Sequence, residues 1–174
     1  MPLLKILHYP EPLLKQKSLP VTEFNDELRQ LAEDMAETMY DAPGVGLAAP
    51  QVGALKRLIV LDCSASDAPA ELIFAVNPEI VAGESESLEE EGCLSVPGFW
   101  ANVKRFSQVT VRYQDLAGNV VQRSADGLLG VCFQHEIDHL EGILFVDRLS
   151  PLKRSLFKKK YLKMLKEREL ENEA

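Results

Sequence analysis

Residues 126–142 read DGLLGVCFQHEIDHLEG, and how this stretch folds decides what the rest of the chain must build around it. Ser124 or Asp126 can start a helix, Gly142 can end it, and Leu128, Val131, Cys132, His135 and His139 then share one face. Residues four apart on a helix project together, so His135 and His139 can offer ring nitrogens to one metal ion. Glu136, one step round, is placed to act as a base on water held there. A lone inward histidine is usually a hydrogen-bonded core residue, but two at this spacing with a glutamate between them are hard to explain that way. Burying Glu136 is unfavourable unless something offsets its charge, which a divalent cation does.

A catalytic site of this type generally has three protein ligands and one open position. The third ligand is therefore the question. One large class of metalloproteases uses a histidine six residues past the second, and here that position is Phe145. Another uses a glutamate about twenty residues on, yet residues 155–166 contain no acid. The remaining histidine, His8, lies beside Tyr9 and Pro10 with no other candidate ligand nearby. Among the three cysteines, Cys63 ends the apolar run Leu58–Leu61 and reads as a strand residue. Cys132 lies one turn before His135 and reads as a packed small residue. Cys93 is the natural choice, because Gly92 and Pro97 around it favour an exposed turn that can approach another element. A Cys93, His135, His139 set leaves a fourth position free.

Three separated motifs now stand in order: GVGLAAPQ at 44–51, EGCLS at 91–95 and QHEIDHL at 134–140. Together they resemble peptide deformylase, in the bacterial form with a basic C-terminal helix, over nearly the whole chain. The resemblance implies a hydrolase that removes the N-formyl group from the initiator methionine of newly made polypeptides and releases formate. It implies Cys93, His135 and His139 as metal ligands and Glu136 as general base and acid on metal-bound water. The Gln51 side chain and the Leu94 N–H are the implied oxyanion donors. Val45 and Gly46 would pair with an extended peptide, and Leu128, Val131 and Cys132 would line the methionine pocket. Fe(II) is the implied physiological ion, with Zn(II), Ni(II) or Co(II) as substitutes. Glu91 and Arg105 are expected to pair beneath the Cys93 turn. Trp100 stands where some relatives carry arginine, and reads equally as a substrate-contacting rim residue or a partly buried surface residue.

Length and composition agree with one catalytic domain spanning residues 1–174. The chain has 174 residues, 46% of them hydrophobic, enough for a single core. Three cysteines without paired spacing argue against a disulfide framework. No long apolar run or leader-like N-terminus is present, so a cytoplasmic location is expected, with no membrane or DNA partner.

The expected fold is α+β, mostly antiparallel sheets packed around a central metal-binding helix, with one helix before and one after. Asn25 can cap a first helix whose Leu28, Leu31, Ala32, Met35, Ala36 and Met39 form an apolar stripe that Pro43 and Gly44 end. Short β-type runs follow at Leu58–Leu61, Ile73–Val76, Val109–Tyr113 and Val120–Gln122.

Residues 150–174 carry eight Lys or Arg against four Glu, a net +4, while residues 1–149 hold 11 basic and 23 acidic residues, a net −12. This extension reads as a helix from Ser150 and Pro151, anchored by Phe157, Tyr161, Met164 and Leu165 among lysines. The resemblance implies that it docks on the ribosome near the tunnel exit, a charge-driven contact. Two rival readings are a different metallopeptidase and a non-enzymatic ribosome-binding protein with a structural metal. The first lacks its ligand, and the second lacks the four ligands of a closed structural site.

Overall fold

The computed structural model describes residues 3–173. Asn25 caps α1 (Asp26–Asp41) by accepting a 3.0 Å hydrogen bond from the Leu28 N–H. Leu28, Ala32, Met35, Ala36 and Met39 along this helix are buried. The chain leaves it where the Gly44 N–H donates to the Met39 carbonyl.

Five strands then pair antiparallel in chain order: β1 (Gly46–Ala48), β2 (Leu58–Leu61), β3 (Ile73–Cys93), β4 (Val96–Gln114) and β5 (Val120–Asp126). All belong to one continuous sheet. The second strand is buried on both faces, and its alternation divides the core. Leu58 and Val60 pack with the α1 stripe, whereas Ile59 and Leu61 pack with Phe133, Ile137 and Leu140 of α2 (Gly127–Leu140). Each fully buried side chain of this size contributes roughly 1.5–3 kcal/mol. The sheet is thus sandwiched between α1 and α2, which fixes the metal-motif helix against its inner face.

β3 and β4 are far longer than the expected short runs, at 21 and 19 residues. Their far halves form a two-stranded arm in which Glu84, Glu86, Glu89 and Glu90 are exposed. Glutamate has low strand preference and no apolar alternation marks the stretch, so its pairing comes from the partner strand. Glu86 and Lys104 make a cross-strand ion pair at 2.9 Å.

Asp126 occupies the N-cap position of α2, not Ser124, which belongs to β5. Gly142 adopts a left-handed φ of 75° just past the end, while the Ile143 N–H returns to the Asp138 carbonyl. That is a glycine stop, and a Cβ there would strike the Lys15 carbonyl. The motif face is buried only from Cys132 onward: Leu128 is 55% exposed and Val131 is half-buried, while the first turn of α2 meets the sheet through Leu129 and Gly130 instead. Residues 145–148 form a short turn of helix, and α3 (Pro151–Glu173) follows. Phe157 and Tyr161 of α3 are buried against Tyr9, Val96, Val103 and Phe145, and the lysines between them face outward. Among the described residues no helix is long and apolar enough to cross a membrane.

Asp62, just past β2, ties several segments together. Its carboxylate accepts hydrogen bonds from the Ser64 amide and hydroxyl, the Glu71 amide and the Tyr40 hydroxyl. Its own N–H donates to the Val45 carbonyl at 2.9 Å. The bonds from Ser64 and Tyr40 lower its pKa from 3.8 to about 2. A folded value below the unfolded one favours the folded state only while the carboxylate is ionised, so the contribution is complete above pH 3.8 and is lost as pH falls through about 2. Asp62→Asn should therefore melt below the parent protein at neutral pH, and the gap should narrow from pH 3.8 towards pH 2. A gap that stays constant over that range in thermal melts would show that the carboxylate charge is not what stabilises this corner.

Candidate metal centre and active site

Two elements meet to make the site. The buried half of α2 presents His135 and His139 with ring centroids 5.1 Å apart. Opposite them, the tight Leu94–Ser95 turn between β3 and β4 presents Cys93. That turn is only partly covered: Gly92, Cys93 and Leu94 are half-buried, whereas Ser95 and Val96 are fully buried, Val96 packing with Leu144, Phe145 and Phe157. Cys93 Sγ lies 3.4 Å from His139 Nε2, and the ligand atoms of Cys93, His135 and His139 all lie within 4.8 Å of one another.

These residues fit a divalent ion. A thiolate with two imidazoles is the donor chemistry of zinc and the neighbouring first-row metals. One buried atom at the site, Glu136 Oε1, has no hydrogen-bond partner among the described residues. Orphaned polar atoms are rare in protein interiors and mark places where something else is accommodated.

Behind the donors lies a buried charge chain. His135 Nδ1 is 2.9 Å from Glu91 Oε1, which directs the other ring nitrogen towards the cluster. Arg105 makes a two-pronged pair with Glu91 at 2.7 and 2.8 Å and reaches Asp138 at 2.7 Å. Asp138 is held from its other side by Arg148. Burial alone would raise Glu91, but Arg105 and His135 outweigh it and lower its pKa to about 2. The expected Glu91–Arg105 pair is therefore present. Its extension through Asp138 to Arg148 was not legible, since Asp138 carries no mark of its partner and Arg148 lies outside every motif. The ring of Phe145, noted in sequence only as a missing histidine, stacks on His135 at 6.0 Å.

Glu136 points to the strand side of the cluster. Its carboxylate lies so close to Gly46 that a Cβ at that position would overlap it. Burial pushes Glu136 up to about 7, with the His135 charge pulling the other way. Burial and the His135 charge both hold His139 well below its ordinary value, which favours the neutral ring that a metal needs.

Gln51 is buried beside the thiol. Its side-chain carbonyl accepts from the Ala48 N–H at 2.9 Å, while its amide nitrogen donates to Ser95 Oγ at 3.0 Å and lies 3.6 Å from Cys93 Sγ. The Ser95 partner was not singled out in sequence. The Leu94 side chain rests against Gly44. Val45 is exposed at the rim next to Gly46 on the edge strand β1. Cys132 is buried in the core, with half-buried Val131 and exposed Leu128 further up the helix. Cys63 lies just beyond β2 rather than within it. Trp100 is 66% exposed, its ring lying over Gly92.

The family described as Polypeptide deformylase matches residues 3–155. A peptide deformylase of Thermodesulfovibrio yellowstonii is 52% identical over 161 residues, covering 92% of this chain and 98% of that relative. One from Desulfotalea psychrophila is 50% identical over 164 residues, covering 94% of this chain and 97% of its own. The crystal structure of a peptide deformylase from Legionella pneumophila has a TM-score of 0.88 at 47% identity, covering 96% of this chain and 98% of that one. Sharing about half of its residues with such enzymes from end to end, and folding as one of them does, this chain belongs to the peptide deformylase family.

Proposed function

We infer that the enzyme hydrolyses the N-formyl group from formylmethionine at the start of newly made polypeptides, with Cys93, His135 and His139 holding one divalent ion. The observation that carries this reading is the meeting of these three donors beside the buried Glu136 carboxylate. Three ligands leave the ion an open position, as catalytic sites require. Fe(II) is the ion we assign in the cell; the donor set also accepts Zn(II), Co(II) and Ni(II). When bound, the ion supplies Lewis acidity, polarising the formyl carbonyl and making water easier to deprotonate.

The chain's own residues do the rest. Glu136 takes the proton of the attacking water and returns it to the departing amine. The Gln51 amide, oriented by the Ala48 N–H on its carbonyl, donates to the oxyanion together with the Leu94 N–H. Among the described residues β1 pairs only with β2, so the outer edge at Gly46 and the preceding Val45 is open to an extended peptide. Leu128, Val131 and Cys132 line the methionine pocket. The Arg105–Glu91 pair holds the His135 ring in the tautomer and orientation that binding needs.

Residues 1–174 act as one catalytic domain, and residues 150–174 form its basic extension. The outward lysines of α3 suit a salt-sensitive contact with ribosomal RNA near the tunnel exit, where the substrate emerges. A cytoplasmic enzyme follows from that reading.

Three measurements test these assignments. Anaerobically prepared enzyme should release formate from formyl-Met-Ala and no amino acid from Met-Ala, and Glu136→Ala should keep its metal while turnover falls by about 10²-fold or more. Amino acid release from either peptide would refute the reading. Arg105→Ala, which leaves buried Glu91 uncompensated, should cost about 3–5 kcal/mol of stability and weaken metal affinity by about 10–100-fold in a competition titration with a chelator. Unchanged affinity would remove the positioning role. Deleting residues 154–174 should abolish ribosome co-sedimentation at low salt, and binding that persists would rule the extension out as the dock.

A further inference from the structure

Gln134 opens the stretch that carries both histidines and Glu136, yet neither the metal cluster nor the reaction uses it. Its side chain is buried, and its hydrogen bonds run to the backbone. The amide oxygen accepts from the Phe106 N–H at 2.9 Å, while the amide nitrogen donates to the Phe106 carbonyl at 2.9 Å and to the Gly130 carbonyl at 3.0 Å. One amide therefore engages both polar groups of a strand residue, as a residue on a neighbouring antiparallel strand would. The reason lies in where β5 stops. It follows β4 only as far as Asp126, opposite Gln108, and the chain then turns into α2. Phe106 lies two residues further along β4, beyond the last paired residue on that side, and the Gln134 amide takes the place of the missing strand. Gly130 permits the close approach, since a Cβ there would meet the Ala125 carbonyl at 2.9 Å.

We propose that Gln134 is a positioning residue of the metal centre: its amide pins α2 to the β4 edge at Phe106 and so sets where His135 and His139 stand relative to Cys93. The inference rests on the assignment of those three residues as metal donors. Cys93 ends β3, which pairs with β4 along the whole hairpin, so a slip of α2 along β4 is a slip of two imidazoles past the thiol. Metal sites of this kind hold donor distances to within about 0.2 Å, and a small slip is enough to spoil one.

Two neighbouring residues of β4 hold the helix at two points one turn apart: Arg105 reaches Asp138, and Phe106 reaches Gln134. The apolar contacts of Phe133 and Ile137 with the sheet are non-directional and define the register of the helix less sharply than in-line hydrogen bonds do. Packing is also incomplete on this side, where a cleft of about 610 Å³ opens between Gln134, Ile80, Phe106 and Ile143. Because the Gln134 amide carries no charge, its bonds can be removed while every member of the Glu91–Arg105–Asp138 chain stays in place.

The test uses cobalt-loaded enzyme and Gln134→Met, which keeps the length of the side chain and removes its three hydrogen bonds. The visible absorption bands of the bound cobalt should shift, Co(II) affinity in a chelator competition should weaken by about tenfold, and formate release at saturating cobalt should fall by at least about tenfold. Leu28→Ala, buried on α1 across the sheet, is the comparison: it should lower the melting temperature and leave the cobalt spectrum and affinity as they were. Gln134→Glu, which keeps the acceptor for the Phe106 N–H and loses the amide donors, takes the place of Gln134→Met if the latter does not fold, with the same changes expected. The proposal is overturned if the folded variant has the parental cobalt spectrum and affinity, if Leu28→Ala changes both to the same extent, or if neither Gln134 variant folds, which would make the residue a folding element only. Parent enzyme without a thiolate-to-cobalt absorption band overturns the donor assignment instead, and parent enzyme that binds cobalt but releases no formate from formyl-Met-Ala overturns the deformylase reading.

Discussion

A guanidinium buried between two carboxylates holds this structure's working parts in register. Arg105 sits on β4, Glu91 on β3 and Asp138 on α2, and no two of these charges could be desolvated alone without a large penalty. Because the Glu91 carboxylate also reaches the His135 ring, the orientation of a metal donor depends on the same arrangement that docks the long hairpin onto the helix. Arg148 completes the chain from the turn before α3, so the C-terminal segment is coupled to the site as well. A charge network of this kind adds little net stability over apolar packing. What it adds is geometric definition.

Packing supplies the complementary constraint. The second strand is buried on both faces, so α1 and α2 press on the sheet from opposite sides and the motif helix cannot rotate without exposing Phe133 or Leu140. The hairpin tip carrying Cys93 is wedged between that helix and the aromatic cluster of Tyr9, Phe145, Phe157 and Tyr161. Glycine at position 46 leaves room for the Glu136 carboxylate, where any side chain would collide. Packing of α2 on the sheet and wedging of the hairpin tip thus position the donors, and the glycine positions the carboxylate beside them.

Much of the site was legible because its chemistry is local. The spacing of His135 and His139 on one helix, the Asn25 cap and the stripe of α1 depend on neighbours within a turn or two, and the structure has them where periodicity puts them. Cys93 was reached through donor type and the missing third ligand, yet its turn proved only half-open, since nothing in EGCLS reveals that Ser95 will be driven inward. The acidic arm of β3 and β4 carries no strand pattern, because each strand there relies on the other for its pairing. Leu128 and Val131 look identical to buried helix positions by period, but the first turn of α2 meets the sheet through Leu129 and Gly130 instead.

The sequence by itself determined the helix that carries two imidazoles and a glutamate, the thiolate chemistry opposite it, the antiparallel character of the strands and the amphipathic basic tail. These follow from backbone periodicity and donor chemistry, which act over a few residues. Only the tertiary structure decided that Asp138 and Arg148 extend the Glu91–Arg105 pair, that Ser95 accepts from the Gln51 side chain and that Phe145 stacks on His135. Each of these joins residues with no sequence relation to one another. Their partners are chosen by which charged or small side chains the packed sheet and helices leave facing one another in a space without water.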